Sequence, residues 1–329
     1  MKYSVVIPVF NRPDEVSELL SSLCSQRFKE FEVLVVEDGS TRTCCQEVAA
    51  QGRALNVRYF MKPNTGPGLT RNYGAERAEG EYLIFLDSDC VLSEGYLEAV
   101  DAELNKEPAD AFGGPDRAHV DFSSMQKAIN YAMTSFFTTG GIRGGKKKLD
   151  KFYPRSFNMG VKRTVFTALG GFSEMRFGED IDLSIRLFEA GYRCRLFPEA
   201  WVWHKRRTDL KKFFKQVHNS GIARINLSKR HPGSLKIVHL LPAAFTLGVL
   251  FLLLGSVVCL WSLLPLLLFA VLIFVDASAK EKSMEVGLKA VCAAYVQLLG
   301  YGSGFLCAWW RRVVCGQGEF EAFKKNFYK

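Results

Sequence analysis

Two pairs of acidic residues carry the chemistry that this sequence offers most directly. Asp87 and Asp89 stand one residue apart at the end of the apolar run 82–86. That spacing lets two carboxylates share one divalent cation, and oxygen ligands suit Mg²⁺ or Mn²⁺. Such an ion can neutralise the charge that builds on a diphosphate as it departs in a transition state. Glu179 and Asp180 open a segment with helical spacing, where carboxylates complement the helix macrodipole and can also accept a proton. A further acidic pair, Glu37-Asp38, closes the apolar run 31–36. Alone, each pair is equally explained by turn formation or helix capping. Two acidic clusters at strand ends are harder to explain in that way.

The elements that must position these residues follow from periodicity. The β-branched run 3–10, the runs 31–36 and 57–61, and the run 82–86 read as buried strands, and 13–23 has helical apolar spacing through Val16, Leu19, Leu20 and Leu23. Strand and helix alternate, which predicts a Rossmann-like, mostly parallel sheet whose ligands lie beyond the carboxyl ends of the strands. Residues 155–161 read as strand or turn leading into a helix at 164–169. A helix over 179–190 stops at Gly191, a C-terminal cap. Residues 140–148 (GGIRGGKKK) read as a mobile basic loop.

With these elements in place, the order of short motifs becomes informative. The chain resembles the family 2 glycosyltransferases of the GT-A fold through residues 4–11 (SVVIPVFN), 36–40 (VEDGS), 66–72 (GPGLTRN) and 85–89 (FLDSD). The resemblance continues through 157–160 (FNMG), 169–172 (LGGF), 178–183 (GEDIDL) and Val202-Trp203-His204, so it covers about the first two thirds. It implies an inverting transfer from a nucleotide-sugar. Asp38 would contact the base, most often uracil in the family, with Pro8 and Asn11 shaping the same pocket. Arg71 and Asn72 would lie along the nucleotide, Asp87 would reach the ribose or the metal, and Asp89 would bind the metal. His204 matches a position that can complete metal or diphosphate binding, although a strand-capping histidine is the alternative. Asp180 would be the base that takes the acceptor's proton, with Glu179 orienting acceptor or base. On the acceptor side the resemblance places Gly114, Asp116, Asn158 and Met159. Arg206 and Arg207, just beyond His204, can bind the donor diphosphate, a lipid-linked phosphate or a membrane surface.

The bulk composition describes the rest of the chain. In 329 residues the net charge is +9, yet nucleic acid is not the expected partner, because ten basic residues between Lys205 and Lys236 precede an uncharged stretch, 240–275. That placement fits a cytoplasmic orientation and anionic lipid headgroups. One helix over 240–275 would run about 54 Å, nearly twice a bilayer core of about 30 Å. Two transmembrane helices are therefore expected, about 237–254 and 257–275, turning near Gly255-Ser256; one very long helix is the alternative. A milder apolar segment, 284–310, can span, re-enter or lie in the interface, and Gly300, Gly304 and Ala308 form a small-residue face on it. The expected organisation is a GT-A domain over 1–215, a basic juxtamembrane segment over 216–236, a membrane hairpin over 237–275, a third membrane segment over 284–310 and a basic tail over 311–329. Nine cysteines show no zinc spacing and read as thiols in a reducing compartment. No N-terminal export signal is read.

The expected function is transfer of a sugar, from a UDP-sugar in most cases, to a lipid-linked saccharide at the cytoplasmic face of a bacterial inner membrane, with Mn²⁺ or Mg²⁺. Membrane lipids are expected partners, and the membrane helices offer a route to a homo-oligomer. A polyprenyl phosphate is the alternative acceptor. A processive synthase finds no support, since Gln216 does not begin a Gln-x-x-Arg-Trp motif. Outside this class stand a non-catalytic membrane scaffold and a nucleotidyltransferase; for the latter, 8–11 (PVFN) lacks a Gly-rich phosphate loop.

Overall fold

The computed structural model describes residues 1–117, 122–140 and 152–320. The basic stretch 141–148 and the end of the tail, 321–329, therefore lie outside the described residues. The chain forms two compact units, Met1–His119 with Lys151–Lys205, and Val120–Asp150 with Arg206–Lys329.

The first unit is built on a seven-stranded sheet in the order β3-β2-β1-β4-β8-β6-β9. Its central strand β1 (Tyr3–Val9) runs parallel to both β2 (Phe31–Asp38) and β4 (Tyr82–Leu86), with Tyr3 opposite Phe31 on one side and Tyr82 on the other. β3 (Val57–Lys62) extends the parallel part. β8 (Asn158–Lys162) pairs antiparallel with β4 and β6 (Ala111–Gly113), and β9 (Cys194–Leu196) closes that edge. A strand covered on both faces must be apolar throughout rather than alternating. β1 meets this condition because Val5 and Ile7 face α1 (Pro13–Cys24) through Leu19, Leu20 and Leu23, whereas Val6 faces the opposite layer with Phe85, Phe166, Phe172, Leu183 and Leu187.

The covering helices are α2 (Cys45–Gln51), α3 (Pro67–Ala75), α4 (Tyr96–Lys106), α7 (Arg163–Ala168) and α8 (Glu179–Glu189). A second sheet of three short strands, β5 (Cys90–Leu92), β10 (Val202–His204) and β7 (Asp116–Arg117), follows directly after β4. Its register sets His204 opposite Cys90. These strands of two or three residues fall below what periodicity can resolve.

The second unit is helical: α5 (Ser124–Thr134), α6 (Phe136–Thr139), α9 (Leu210–Arg230), α10 (Leu241–Gly255), α11 (Leu264–Glu281) and α12 (Met284–Trp309). α9 begins at an Asp209 cap, whose side chain accepts from the Lys212 amide, and runs unbroken to Arg230. Among the described residues, three stretches are long and apolar enough to cross a membrane: Ile237–Gly255, Leu260–Glu281 and Met284–Val314. Their large apolar side chains, Phe251, Leu254, Leu267 and Leu268 among them, point outward, the inverse of a water-soluble bundle and the arrangement that lipid favours. α10 ends at Gly255, and α11 runs beyond the uncharged stretch 240–275 to an added turn ending at Glu281. The added turn holds its charges because Lys280 pairs with Asp276 at 2.8 Å and the Tyr131 hydroxyl donates to Asp276 at 2.5 Å.

α9 and α12 approach so closely that side chains are excluded between them. A Cβ on Gly221 would lie 2.2 Å from the Tyr301 carbonyl oxygen, and one on Gly304 would lie 2.0 Å from that of His218.

Candidate active site

The carboxyl ends of β2 and β4 carry the acidic clusters, as a parallel sheet requires. After β4 the chain turns through Asp87-Ser88-Asp89 into β5, and β10 returns beside it. The Lys205 amide donates to the Asp89 carbonyl at 3.1 Å. This pairing brings the His204 Nε2 to 3.2 Å from Asp89 Oδ1, while the ring stacks on Phe157 with centroids 4.7 Å apart. His204 Nδ1 is buried and has no hydrogen-bond partner among the described residues. Asp89, His204 and Cys90 could together offer three metal ligand atoms, all within 4.8 Å of one another. The carboxylate oxygen fits Mn²⁺ or Mg²⁺, and an imidazole beside it favours the softer Mn²⁺ of the two; the thiol does not fit, being soft and pushed well above its usual pKa by burial. Asp89 and His204 thus suit the ion that the sequence suggested.

The second acidic pair is placed by glycine. Gly178 caps α8 at φ +87°, a left-handed conformation that a side chain would strain, and the chain enters the helix at Glu179 and Asp180. Asp180 Oδ2 lies 3.3 Å from Arg155 Nε and Oδ1 accepts from the Ile181 amide at 2.8 Å. Glu179 is buried. Burial raises its carboxyl to about 7, and the neighbouring Asp180 charge adds to the rise.

Arg71 links the two acidic pairs. Almost fully buried in α3, it donates from Nη1 to Glu179 at 3.0 Å and from Nη2 to Asp87 at 2.5 Å. The guanidinium therefore bridges residues 16 and 108 positions away, which no local pattern could reveal. Asn72, its neighbour, has its amide committed to the backbone of Phe172, donating at 2.8 Å and accepting at 2.9 Å. It pins the 169–172 turn.

The remaining sequence candidates divide in the same way. Asp38 accepts from Lys62 Nζ at 2.7 Å and from the amides of Thr65 and Gly66 at 2.8 and 2.9 Å. Asn11, at φ +55°, accepts from the Thr41 and Arg42 amides and so ties the end of β1 to the loop after β2. Pro8 sits within β1 opposite Val36. Asn158 is buried, with its amide held between the Tyr96 hydroxyl and the Ala200 carbonyl. Gly114 permits that approach, since a Cβ there would lie 1.6 Å from the Ala200 oxygen. Met159 belongs to the core, and Asp116 lies in β7 beside β10. Arg206 and Arg207 fall in the second unit, where Arg206 Nε donates to Asn130 at 3.1 Å. The structure thus brings together Asp87, Asp89, His204, Arg71, Glu179 and Asp180, adds Arg12 and Arg155 to them, and adds Lys62 at Asp38. These three cations lacked a signal in the sequence because each is defined only by the carboxylate it meets.

A mostly parallel α/β sheet with an Asp-x-Asp turn after a central strand and a Glu-Asp helix start defines a GT-A glycosyltransferase domain, here followed by three long apolar helices. The chain belongs to glycosyl transferase family 2, whose profile matches residues 4–170, just over half of its length.

Among known proteins, the pre-mycofactocin glycosyltransferase of Mycobacterium tuberculosis is 30% identical over 70% of this chain and 48% of its own. The GalNAc(5)-diNAcBac-PP-undecaprenol beta-1,3-glucosyltransferase of Campylobacter jejuni is 33% identical over 34% of this chain and 37% of its own. The chain spans less than half the length of these relatives. Among solved structures, the mannosyltransferase PcManGT of Pyrobaculum calidifontis, in complex with GDP-Man and Mn²⁺, superposes with a TM-score of 0.64. It is 17% identical, and the match covers 89% of this chain and 86% of that one.

Proposed function

We propose that the protein is an inverting, metal-dependent hexosyltransferase that moves a sugar from a nucleotide-sugar to a lipid-linked saccharide in polysaccharide or glycan assembly. The observation that carries this reading is the arrangement of Asp87 and Asp89 on one side of Arg71 and Glu179 with Asp180 on the other. Asp180 takes the proton from the acceptor hydroxyl as that oxygen bonds to the anomeric carbon. The bond from the anomeric carbon to the diphosphate oxygen breaks, and its electron pair leaves with the nucleoside diphosphate. Glu179, held by Arg71, orients the acceptor or the base. Asp38, Pro8 and Asn11 shape the base pocket, and Asp87 meets the ribose. When bound at Asp89 and His204, Mn²⁺ or Mg²⁺ supplies positive charge to the departing diphosphate. Asn72 and Asn158 act through the turns they hold.

Three apolar helices support a lipid-borne acceptor, as does the undecaprenol-linked substrate in the name of the Campylobacter relative. Ten basic residues between Lys205 and Lys236 support a cytoplasmic catalytic unit at a bacterial inner membrane. The test is nucleotide release by the detergent-purified protein from UDP-, GDP- and dTDP-sugars with Mn²⁺ or Mg²⁺. Each donor is assayed with a lipid-linked saccharide, with polyprenyl phosphate or with neither. Release with the saccharide supports the reading, release with polyprenyl phosphate replaces the acceptor, and no metal-dependent turnover with any donor refutes both.

A further inference from the structure

Asp38, Asp87, Asp89, Glu179 and Asp180 each meet a cation, Asp87 and Glu179 sharing Arg71, and the cations differ in what they have left to offer. Lys62 bonds to Asp38, Thr65 and the Pro63 carbonyl. Arg71 is almost fully buried, with one terminal nitrogen on Asp87 and the other on Glu179. Arg155 lies at Asp180, on the acceptor side. Arg12 is the one that meets Asp89, and it shares its partial exposure with Arg155. Its Nη1 donates to Asp89 Oδ2 at 2.7 Å, and about a third of the side chain is exposed. A guanidinium carries five N–H donors in a planar fork; one meets Asp89, and the rest have no hydrogen-bonded partner among the described residues.

The backbone fixes where this fork stands. Asn11 is held at positive φ by bonds from the Thr41 and Arg42 amides, and its own amide donates to Ser40 at 2.9 Å. Arg12 follows immediately as the residue capping α1, ahead of Pro13. The side chain therefore starts from a pinned turn between the loop after β2 and the turn after β4. It reaches the one carboxylate whose other oxygen faces His204. A diphosphate drawn to an ion at Asp89 and His204 arrives next to the open face of Arg12, and a planar fork matches phosphate oxygens two at a time.

We propose that Arg12 is a binding residue for the donor's diphosphate, gripping phosphate oxygens with the donors that Asp89 leaves free. The assignment rests on the glycosyltransferase reading above. It adds a diphosphate contact in the first unit to the Arg206 and Arg207 candidates of the second.

The test is calorimetry on the full-length protein in detergent with Mn²⁺, titrating UDP, GDP and uridine into wild type, Arg12→Ala and Arg12→Lys. Mn²⁺ binding without nucleotide is followed by electron paramagnetic resonance. Arg12→Ala is expected to weaken the nucleoside diphosphate by about 10- to 100-fold, the loss of one or two charge-assisted hydrogen bonds. Uridine and Mn²⁺ binding are expected to be retained, and Arg12→Lys to recover part of the loss. Unchanged diphosphate affinity in Arg12→Ala overturns the proposal. So does an equal loss for uridine, or a matching loss of Mn²⁺ binding, since either makes Arg12 a support for Asp89 or for the fold. If wild type binds neither UDP nor GDP, the glycosyltransferase reading itself fails.

Discussion

Replacing Glu179 by Gln isolates one ionisation at the centre of the site. Glu179 is buried beside Asp180, and its carboxyl titrates near 7 in the folded protein against 4.5 for the ordinary group, even with Arg71 at 3.0 Å. A raised carboxylate pKa means that the folded state holds its proton more tightly than the unfolded chain. The penalty is therefore absent below about pH 4.5, grows as pH rises and is complete above about pH 7. At about 1.36 kcal/mol per pH unit it amounts to roughly 3 kcal/mol. Gln is close in shape to the protonated acid and carries no such term. The melting temperature of Glu179→Gln relative to wild type should thus rise between pH 4.5 and pH 8. For a unit of this size the rise should be roughly 6–12 °C. Thermal melts of both proteins across this range, with a chelator to keep divalent ions from the carboxylates, read the difference directly. Parallel profiles would show that Glu179 ionises near its ordinary value and that Arg71 compensates its burial completely.

Other expectations follow from the same geometry. Asp180→Asn should abolish transfer while nucleotide affinity measured by calorimetry stays within about twofold; retained turnover would remove Asp180 as the base. Gly178→Ala forces a side chain into φ +87°, at a cost of roughly 1–3 kcal/mol. It should lower turnover by disturbing Glu179 and Asp180, and a melting temperature equal to wild type would count against the strain. On cell fractionation the protein should stay with the membrane through high salt and alkaline carbonate and come off only with detergent. Release by salt alone would contradict membrane spanning by the helices in 237–314.

The parallel core was legible because buried strands are written as apolar runs: β4 was read at 82–86 and forms over Tyr82–Leu86. The same holds for the acidic start of α8 at Glu179. What stayed hidden was pairing at a distance. Arg71 reads as a nucleotide contact from its motif, yet its fork closes on Asp87 and Glu179. Arg12 is joined to Asp89 across 77 positions. Neither has a periodic signature, because a lone cation is identified by what meets it in three dimensions. The short strands β5, β7 and β10 escaped for a related reason: two or three residues cannot display a period, although they are what carries His204 to Asp89.

The glycines between α9 and α12 bear on how this protein could meet a second copy of itself. Gly300 and Gly304 belong to the small-residue face of α12, and the chain uses that face internally. A methyl at position 304 would strike the His218 carbonyl, and one at 300 would lie 2.6 Å from Val217 Cγ2. A surface occupied inside each copy is closed to its neighbour.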